Sequence, residues 1–207
     1  MREKWGPDMA NNGVNKGRRR FLVGATTVVG AVGVVGVAIP FVSAWQPSAR
    51  ARAAGAPVKA DISKLAPGQR MTVEWRGRPV WIINRTPEMI ERTESFTAGR
   101  LADPDSQASL QPAYSTGQMR SIRPEIGVLI GICTHLGCSP VYRPEPDATG
   151  VGVDDWPGGF FCPCHGSRFD LAGRVFSNVP APTNLEVPPY RFENDNIIVV
   201  GEDEETA

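Results

Sequence analysis

Histidine is almost missing from this 207-residue sequence and cysteine is scarce, with two of the first and four of the second. All six lie between Cys133 and His165, whereas cysteines that staple a small fold would be scattered along it. A shared piece of chemistry gathers them instead. There is no basic excess either: Lys plus Arg and Asp plus Glu stand at 22 each, so nothing is left over to neutralise a phosphate backbone, and nucleic acid is not an expected partner. No internal repeat is present. The length leaves room for one domain of ordinary size plus a tail or anchor, because single hydrophobic cores commonly serve about 100 to 200 residues. What is plentiful is Gly, at 22, and Pro, at 19, a composition that suits short strands and shaped loops better than a helical bundle.

From Phe21 to Trp45 the chain carries no charged residue. As a helix these 25 residues reach roughly 37 Å at about 1.5 Å per residue, enough to span a hydrocarbon core of about 30 Å with some tilt. Gly24, Gly30, Gly33 and Gly36 weaken a helix in water but permit close approach of another helix in lipid. Lys16, Arg18, Arg19 and Arg20 precede the run, and only Arg50 and Arg52 follow it closely, so the positive-inside tendency puts the N-terminus in the cytoplasm. Arg18, Arg19, Arg20, Phe21 and Leu22 also resemble a twin-arginine export signal, a route for proteins folded around a cofactor. Val42, Ser43 and Ala44 could pass for a cleavage site, but the apolar run is long for a cleaved signal, whose core is usually about 7 to 15 residues, and retention is expected.

Residues 46–57 are small, Pro-containing and poor in core formers, and read as a linker. Beyond Val58 the pattern changes. Met71–Trp75 and Pro79–Ile83 around Arg76, Gly77 and Arg78 predict a hairpin of β-branched and aromatic residues. Thr86, Pro87 and Glu88 predict the start of a short helix ending near Ser95. Residues 101–119 are polar and turn-rich and read as an irregular excursion outside the core. Glu125–Ile132 predicts a buried strand leading into Cys133, and Tyr190–Phe192 with Ile197–Val200 predicts a second hairpin. Glu202, Asp203, Glu204 and Glu205 read as a solvated acidic tail. The expected organisation is a cytoplasmic N-terminus with the twin-arginine motif at 1–20, a transmembrane anchor at 21–45, a flexible hinge at 46–57, a head domain at 58–201 and a tail at 202–207.

The chemistry lies in two loops, Cys133, Thr134, His135, Leu136, Gly137, Cys138 and Cys162, Pro163, Cys164, His165, Gly166, Ser167. Each offers one imidazole and two thiols. Ligand type alone leaves iron–sulfur and zinc open, since thiolate and imidazole suit both. A Cys-x-His pair and a Cys-x-x-His pair leave Cys138 and Cys164 as a surplus that a simple zinc site has no use for.

These two loops resemble the cluster loops of Rieske proteins. The resemblance implies an all-β, small antiparallel Rieske-type fold with a cluster-binding subdomain, preceded by one N-terminal transmembrane helix. It implies one [2Fe-2S] cluster, with Cys133 and Cys162 on the inner iron and His135 and His165 on the outer, and a disulfide between Cys138 and Cys164. Two neutral imidazoles in place of two thiolates make such a cluster easier to reduce, with potentials of about −150 to +300 mV in these centres. An imidazole also has a second nitrogen at which a proton can follow the electron. By the same resemblance His165 is the leading acceptor of a hydrogen bond from a quinol, with His135 beside it; Ser167 donates to a bridging sulfur; Leu136 shields the cluster and touches the partner. Phe169 stands where high-potential members carry a Tyr whose hydroxyl donates to the first ligand cysteine, which implies a lower potential.

The likeness reaches further, to the iron–sulfur subunit of ubiquinol–cytochrome c reductase. It is carried by Asp61–Leu65, by Val73–Pro79 with its Trp75, Arg76, Gly77 and Arg78, by Ile83–Thr86, by the proline loop at Pro180, Ala181 and Pro182, and by Asn184–Pro188. The segments 101–119 and 139–159 look enlarged, and Val179 stands where a glycine is often found. The resemblance implies a quinol–cytochrome c reductase subunit of a bacterial inner membrane, anchored in membrane lipid with its head in the periplasm. Its partners would be ubiquinol, cytochrome b and cytochrome c1 in a dimeric multi-subunit complex, with Pro180 and Pro182 covering the cluster. Two other readings share the chemistry: the Rieske small subunit of a periplasmic arsenite oxidase, and a membrane-attached Rieske ferredoxin. A third, a zinc-bound interaction module, would be colourless.

Overall fold

The computed structural model describes residue 13, residues 15–96 and residues 98–203. Residues 1–12 and 14 of the expected N-terminal segment, and 204–207 of the expected acidic tail, lie outside that set. The chain divides into two compact units, Met1–Ala51 and Arg52–Ala207.

In the first unit the apolar run forms α1, Lys16–Ser43, capped by the Asn15 side chain, which accepts from the Arg18 amide at 3.0 Å. Its described residues are all exposed, and it is long and apolar enough to cross a membrane. The hydroxyls of Thr26 and Thr27 donate back to the carbonyls of Leu22 and Val23, so the threonines place no unpaired donor on this apolar surface. A second short helix, α2 (Ala49–Ala54), occupies the middle of the segment read as a linker, and the boundary between the two units falls within it.

Among the described residues, the head is built from three antiparallel sheets of three strands each. The first orders β1 (Val58–Asp61), β9 (Ile197–Val200) and β8 (Tyr190–Asn194); the second orders β2 (Arg70–Trp75), β3 (Arg78–Asn84) and β4 (Ile126–Ile130). The third orders β5 (Val141–Arg143), β6 (Gly159–Phe161) and β7 (Arg168–Asp170). The expected hairpin is β2–β3, with Trp75 opposite Arg78 across a two-residue turn. Arg76 and Gly77 both take left-handed backbone there, at φ 52° and 70°, as a primed turn requires. The predicted short helix is α3 (Pro87–Ser95), capped by Thr86, whose hydroxyl accepts from the Met89 amide at 3.3 Å.

Val80, Trp81, Ile82 and Ile83 of β3, like every residue of β4, are buried on both faces, which is why these strands read as continuous apolar runs. Trp81 stacks on Phe160 of β6 at 4.9 Å between ring centroids, joining the second sheet to the third. Gly131, at the exit of β4, lies so close to the Trp81 indole that any side chain there would collide with it.

One expectation is corrected. Residues 101–119 are irregular, with a 3-10 turn at Ala113–Ser115 and another just before them at Ala98–Arg100, but they are not outside the core. Leu101, Asp103, Ser106, Ser115 and Met119 are buried. Polar side chains make this possible: the Asp103 carboxylate accepts from the amides of Gln107 and Ala108 at 2.7 and 3.2 Å, giving an irregular backbone the partners it lacks in the absence of a ladder.

Candidate metal centre

Two loops project from the same part of the head and are built to one plan. The first leaves β4; its Cys133 amide donates to the Cys138 carbonyl at 2.7 Å, and its Gly137 amide returns to the Cys133 carbonyl at 3.0 Å. The second joins β6 to β7; its Cys162 amide donates to the Ser167 carbonyl at 2.8 Å, and its Gly166 amide returns to Cys162 at 2.9 Å. Gly137 and Gly166 occupy equivalent places and both take left-handed backbone, at φ 83° and 78°. Each loop thus buries its first cysteine at the base and carries its histidine toward the tip.

Cys133 and Cys162 are 3% and 1% exposed, whereas His135 is half-buried and His165 is exposed. The Cys133 thiol lies within hydrogen-bonding reach of Cys162 and of the Ser167 hydroxyl, and burial pushes that thiol's pKa up. The two imidazoles meet edge to face, with centroids 4.8 Å apart and planes at 89°. Cys138 and Cys164 are joined as a disulfide, with their Cα atoms 6.7 Å apart, and clip the loops together. The Sγ atoms of Cys138, Cys162 and Cys164 also lie within 4.8 Å of one another, but the disulfide leaves only Cys162 of these three with a free thiol.

His135 Nδ1 is buried and has no hydrogen-bond partner among the described residues. Such an atom is costly to leave unsatisfied, and a metal ion is the natural partner for an imidazole nitrogen placed beside thiols. The donor set of two buried thiols and two imidazoles, with one imidazole nitrogen already stripped of partners, therefore fits an iron–sulfur group of the Rieske type.

The segment containing Pro180 and Pro182 bridges both loops from above. The Ala181 amide donates to Ser167 Oγ at 3.0 Å, and Thr134 Oγ1 donates to the Thr183 carbonyl at 2.7 Å. Both prolines are exposed, as is Leu136, at 72%. Thr134 was not singled out from the sequence, although it sits between two candidate ligands; Ala181 was named only as part of the proline loop, and nothing in the sequence marks its backbone amide. Phe169 is fully buried opposite Phe160 in β6, in the same apolar cluster as Cys133 and Cys162.

Residues 57–190 match the Rieske [2Fe-2S] domain, and residues 9–48 match the family described as the ubiquitinol-cytochrome C reductase Fe-S subunit TAT signal. The ubiquinol-cytochrome c reductase iron-sulfur subunit of Allochromatium vinosum is 59% identical over 201 residues, spanning 96% of this chain and 95% of that one. The protein of the same description from Blastochloris viridis is 44% identical over 184 residues, 89% of this chain and 92% of its own. Among solved structures, a chain of a hyperthermophilic respiratory Complex III superposes with a TM-score of 0.46 at 26% identity, over 84% of this chain and 96% of that one.

Proposed function

Since the chain belongs to the family of ubiquinol–cytochrome c reductase iron–sulfur subunits, a family that carries a [2Fe-2S] cluster, we propose that Cys133, His135, Cys162 and His165 hold that cluster and that the head carries electrons from ubiquinol to cytochrome c1. The observation that supports this assignment most directly is the buried, partnerless Nδ1 of His135 beside two buried thiols and a second imidazole. When bound, the cluster supplies reversible one-electron chemistry at a potential raised by its two neutral ligands.

The rest is done by the chain's own groups. His165, exposed at the tip, offers Nε2 to the hydroxyl of ubiquinol and takes its proton as the electron leaves; His135 stands beside it. The Ser167 hydroxyl, fully buried and held by the Ala181 amide, would donate its proton to a bridging sulfur of the bound cluster and so raise the potential. Leu136, with Pro180 and Pro182, forms the apolar rim that docks on cytochrome b and keeps water from the site. The Cys138–Cys164 disulfide keeps the two loops in register.

In this reading α1 anchors the subunit in the inner membrane with its N-terminus cytoplasmic, and the head works in the periplasm of a dimeric complex. Residues 46–57 serve as the hinge that lets the head visit cytochrome b and cytochrome c1 in turn, because two docking sites cannot both be reached by a rigidly held domain. The arsenite oxidase and ferredoxin readings lose ground to the 59% identity along nearly the whole chain with a ubiquinol–cytochrome c reductase subunit.

The test is a low-temperature electron paramagnetic resonance spectrum of dithionite-reduced membranes containing the chain, with a redox titration in the presence and absence of a quinol-site inhibitor. A rhombic Rieske signal that shifts with the inhibitor supports both ligand set and docking. An unresponsive signal keeps the cluster and removes the quinol role; zinc in folded protein that gives no signal removes the cluster.

A further inference from the structure

The proline segment that covers both ligand loops ends at Asn184, and this residue is held with unusual completeness. It is 1% exposed, and every polar atom of its amide is used. Oδ1 accepts from the Val175 amide at 2.8 Å, Nδ2 donates to the Asp103 carbonyl and to Ser106 Oγ, each at 2.9 Å, and the backbone amide donates to Ser109 Oγ at 3.1 Å. Ser109 in turn donates its hydroxyl proton to the Asp103 carboxylate at 2.6 Å. That carboxylate also gathers the amides of Gln107 and Ala108, so the turn 103–109 closes as a cage around Asn184. Beyond it, the Leu185 amide donates to Gly173 and the Val187 amide to Leu110.

On the far side of the same short segment stand the contacts to the site. The amide of Ala181, three residues before Asn184, fixes Ser167 Oγ, and the carbonyl of Thr183, its immediate neighbour, receives the Thr134 hydroxyl. A buried polar network with all members paired specifies one geometry sharply, and half-breaking it frees the group it held. The irregular excursion 101–119 therefore sits behind the cover segment as its mould.

We propose that Asp103, Ser106, Ser109 and Asn184 are positioning residues for the electron-transfer site: through the cover segment they set the orientation of the Ser167 hydroxyl and thereby the midpoint potential. The inference rests on the reading of Ser167 and the ligand set given above. Loss of the Ser109 or Ser106 hydroxyl lets the cover segment shift, weakens the Ala181 bond to Ser167 and frees that hydroxyl to turn away from sulfur. The reduced form then loses part of its stabilisation.

The experiment is a redox titration followed by electron paramagnetic resonance, on membranes holding the assembled complex with Ser109→Ala, Ser106→Ala, Ser109→Thr or, as a control, Thr93→Val. Thr93 carries a fully buried hydroxyl that donates to the Met89 carbonyl within α3, at 2.6 Å, so the control loses a buried side-chain hydrogen bond that does not touch the cover segment. The expected result is a threefold to tenfold fall in the reduced-to-oxidised ratio at the parent midpoint for the two alanine variants, roughly 28 to 59 mV for a one-electron couple. Ser109→Thr, which keeps the hydroxyl, and Thr93→Val should titrate with the parent. Parent midpoints in the alanine variants overturn the proposal, as does a Ser109→Thr that falls with Ser109→Ala. If Ser109→Ala fails to assemble, Ser106→Ala decides alone by the same criterion. Absence of any Rieske signal from the parent overturns instead the ligand assignment on which the inference rests.

Discussion

The Ala181 amide donates to the Ser167 hydroxyl at 3.0 Å, across 14 residues of chain, and both partners are buried. An oxygen that accepts from the Ala181 amide keeps its own proton free, and in the proposed site that proton goes to cluster sulfur. Ser167→Ala removes that donor and leaves the Ala181 amide unpaired. A hydrogen bond to a charged acceptor contributes about 1.5–3 kcal/mol, which for a one-electron couple corresponds to a midpoint lower by roughly 65–130 mV. Potentiometric titration of the variant checks this, and an unchanged midpoint would show that the hydroxyl points elsewhere.

Phe169 offers the converse change. Its ring is fully buried in the cluster of side chains that contains Cys133 and Cys162, and a phenol there has a sulfur as its natural partner. Phe169→Tyr is expected to raise the midpoint by roughly 65–130 mV, the effect of one added donor to a charged acceptor. If the hydroxyl finds no partner, the midpoint stays put and stability falls instead by about 1–3 kcal/mol, the cost of burying it unpaired. Titration and thermal melting of the same variant separate the two outcomes.

The contrast between what the sequence disclosed and what it hid follows the range of the interactions. The β2–β3 hairpin was legible because its turn residues Arg76 and Gly77 and its β-branched flanks act locally. The helix at Pro87–Ser95 was legible from its cap; the two cysteine–histidine loops stood out by residue type and spacing, while their ligand roles came only from the resemblance to Rieske proteins. The third sheet was not: β5, β6 and β7 are three residues each, too short to show a period, and they exist because Trp81 and Phe160 stack between sheets. Nor could the burial of Asp103 be foreseen, since its partner Asn184 lies 81 residues away. A polar stretch reads as solvent-facing until the groups that satisfy it are known.

Tyr142 and Tyr190 give the head a response to alkaline pH. Burial pushes both phenols up to about 12; Tyr142 donates to the Gly68 carbonyl at 3.0 Å, and the Tyr190 oxygen accepts from the Ile122 amide at 2.8 Å. The unfolded chain ionises its tyrosines near pH 10. A group whose pKa rises on folding stabilises the fold fully below its unfolded value, so these two contributions are whole at pH 9 and are lost between about 10 and 12. Tyrosinate absorbance should show Tyr142 and Tyr190 still protonated at pH 11 in the folded head and ionised in denaturant. Ionisation of Tyr142 and Tyr190 near pH 10 without unfolding would mean that these rings are open to water.

The Cys138–Cys164 disulfide closes a loop of 26 residues in sequence separation, and that loop contains β5, β6 and the first buried residue of the second ligand loop. Chain-entropy arguments put the stabilisation from a closure of this size at about 3 kcal/mol. The effect should be larger at the site than in the head as a whole, because the bond is the one covalent link between the two loops, which are otherwise joined by the cover segment and the His135–His165 ring contact. Cys138→Ser with Cys164→Ser, which retains Cys133, His135, Cys162 and His165, is therefore expected to fold and to form the Rieske signal at reduced occupancy. On heating it should lose the signal several degrees before the far-ultraviolet circular dichroism of the sheets changes. In the parent the two transitions should coincide, because the clipped loops cannot open alone. If the double variant instead loses signal and sheet structure together at one lowered temperature, the disulfide stabilises the whole head rather than the site, and the two loops are held in register by the strands beneath them.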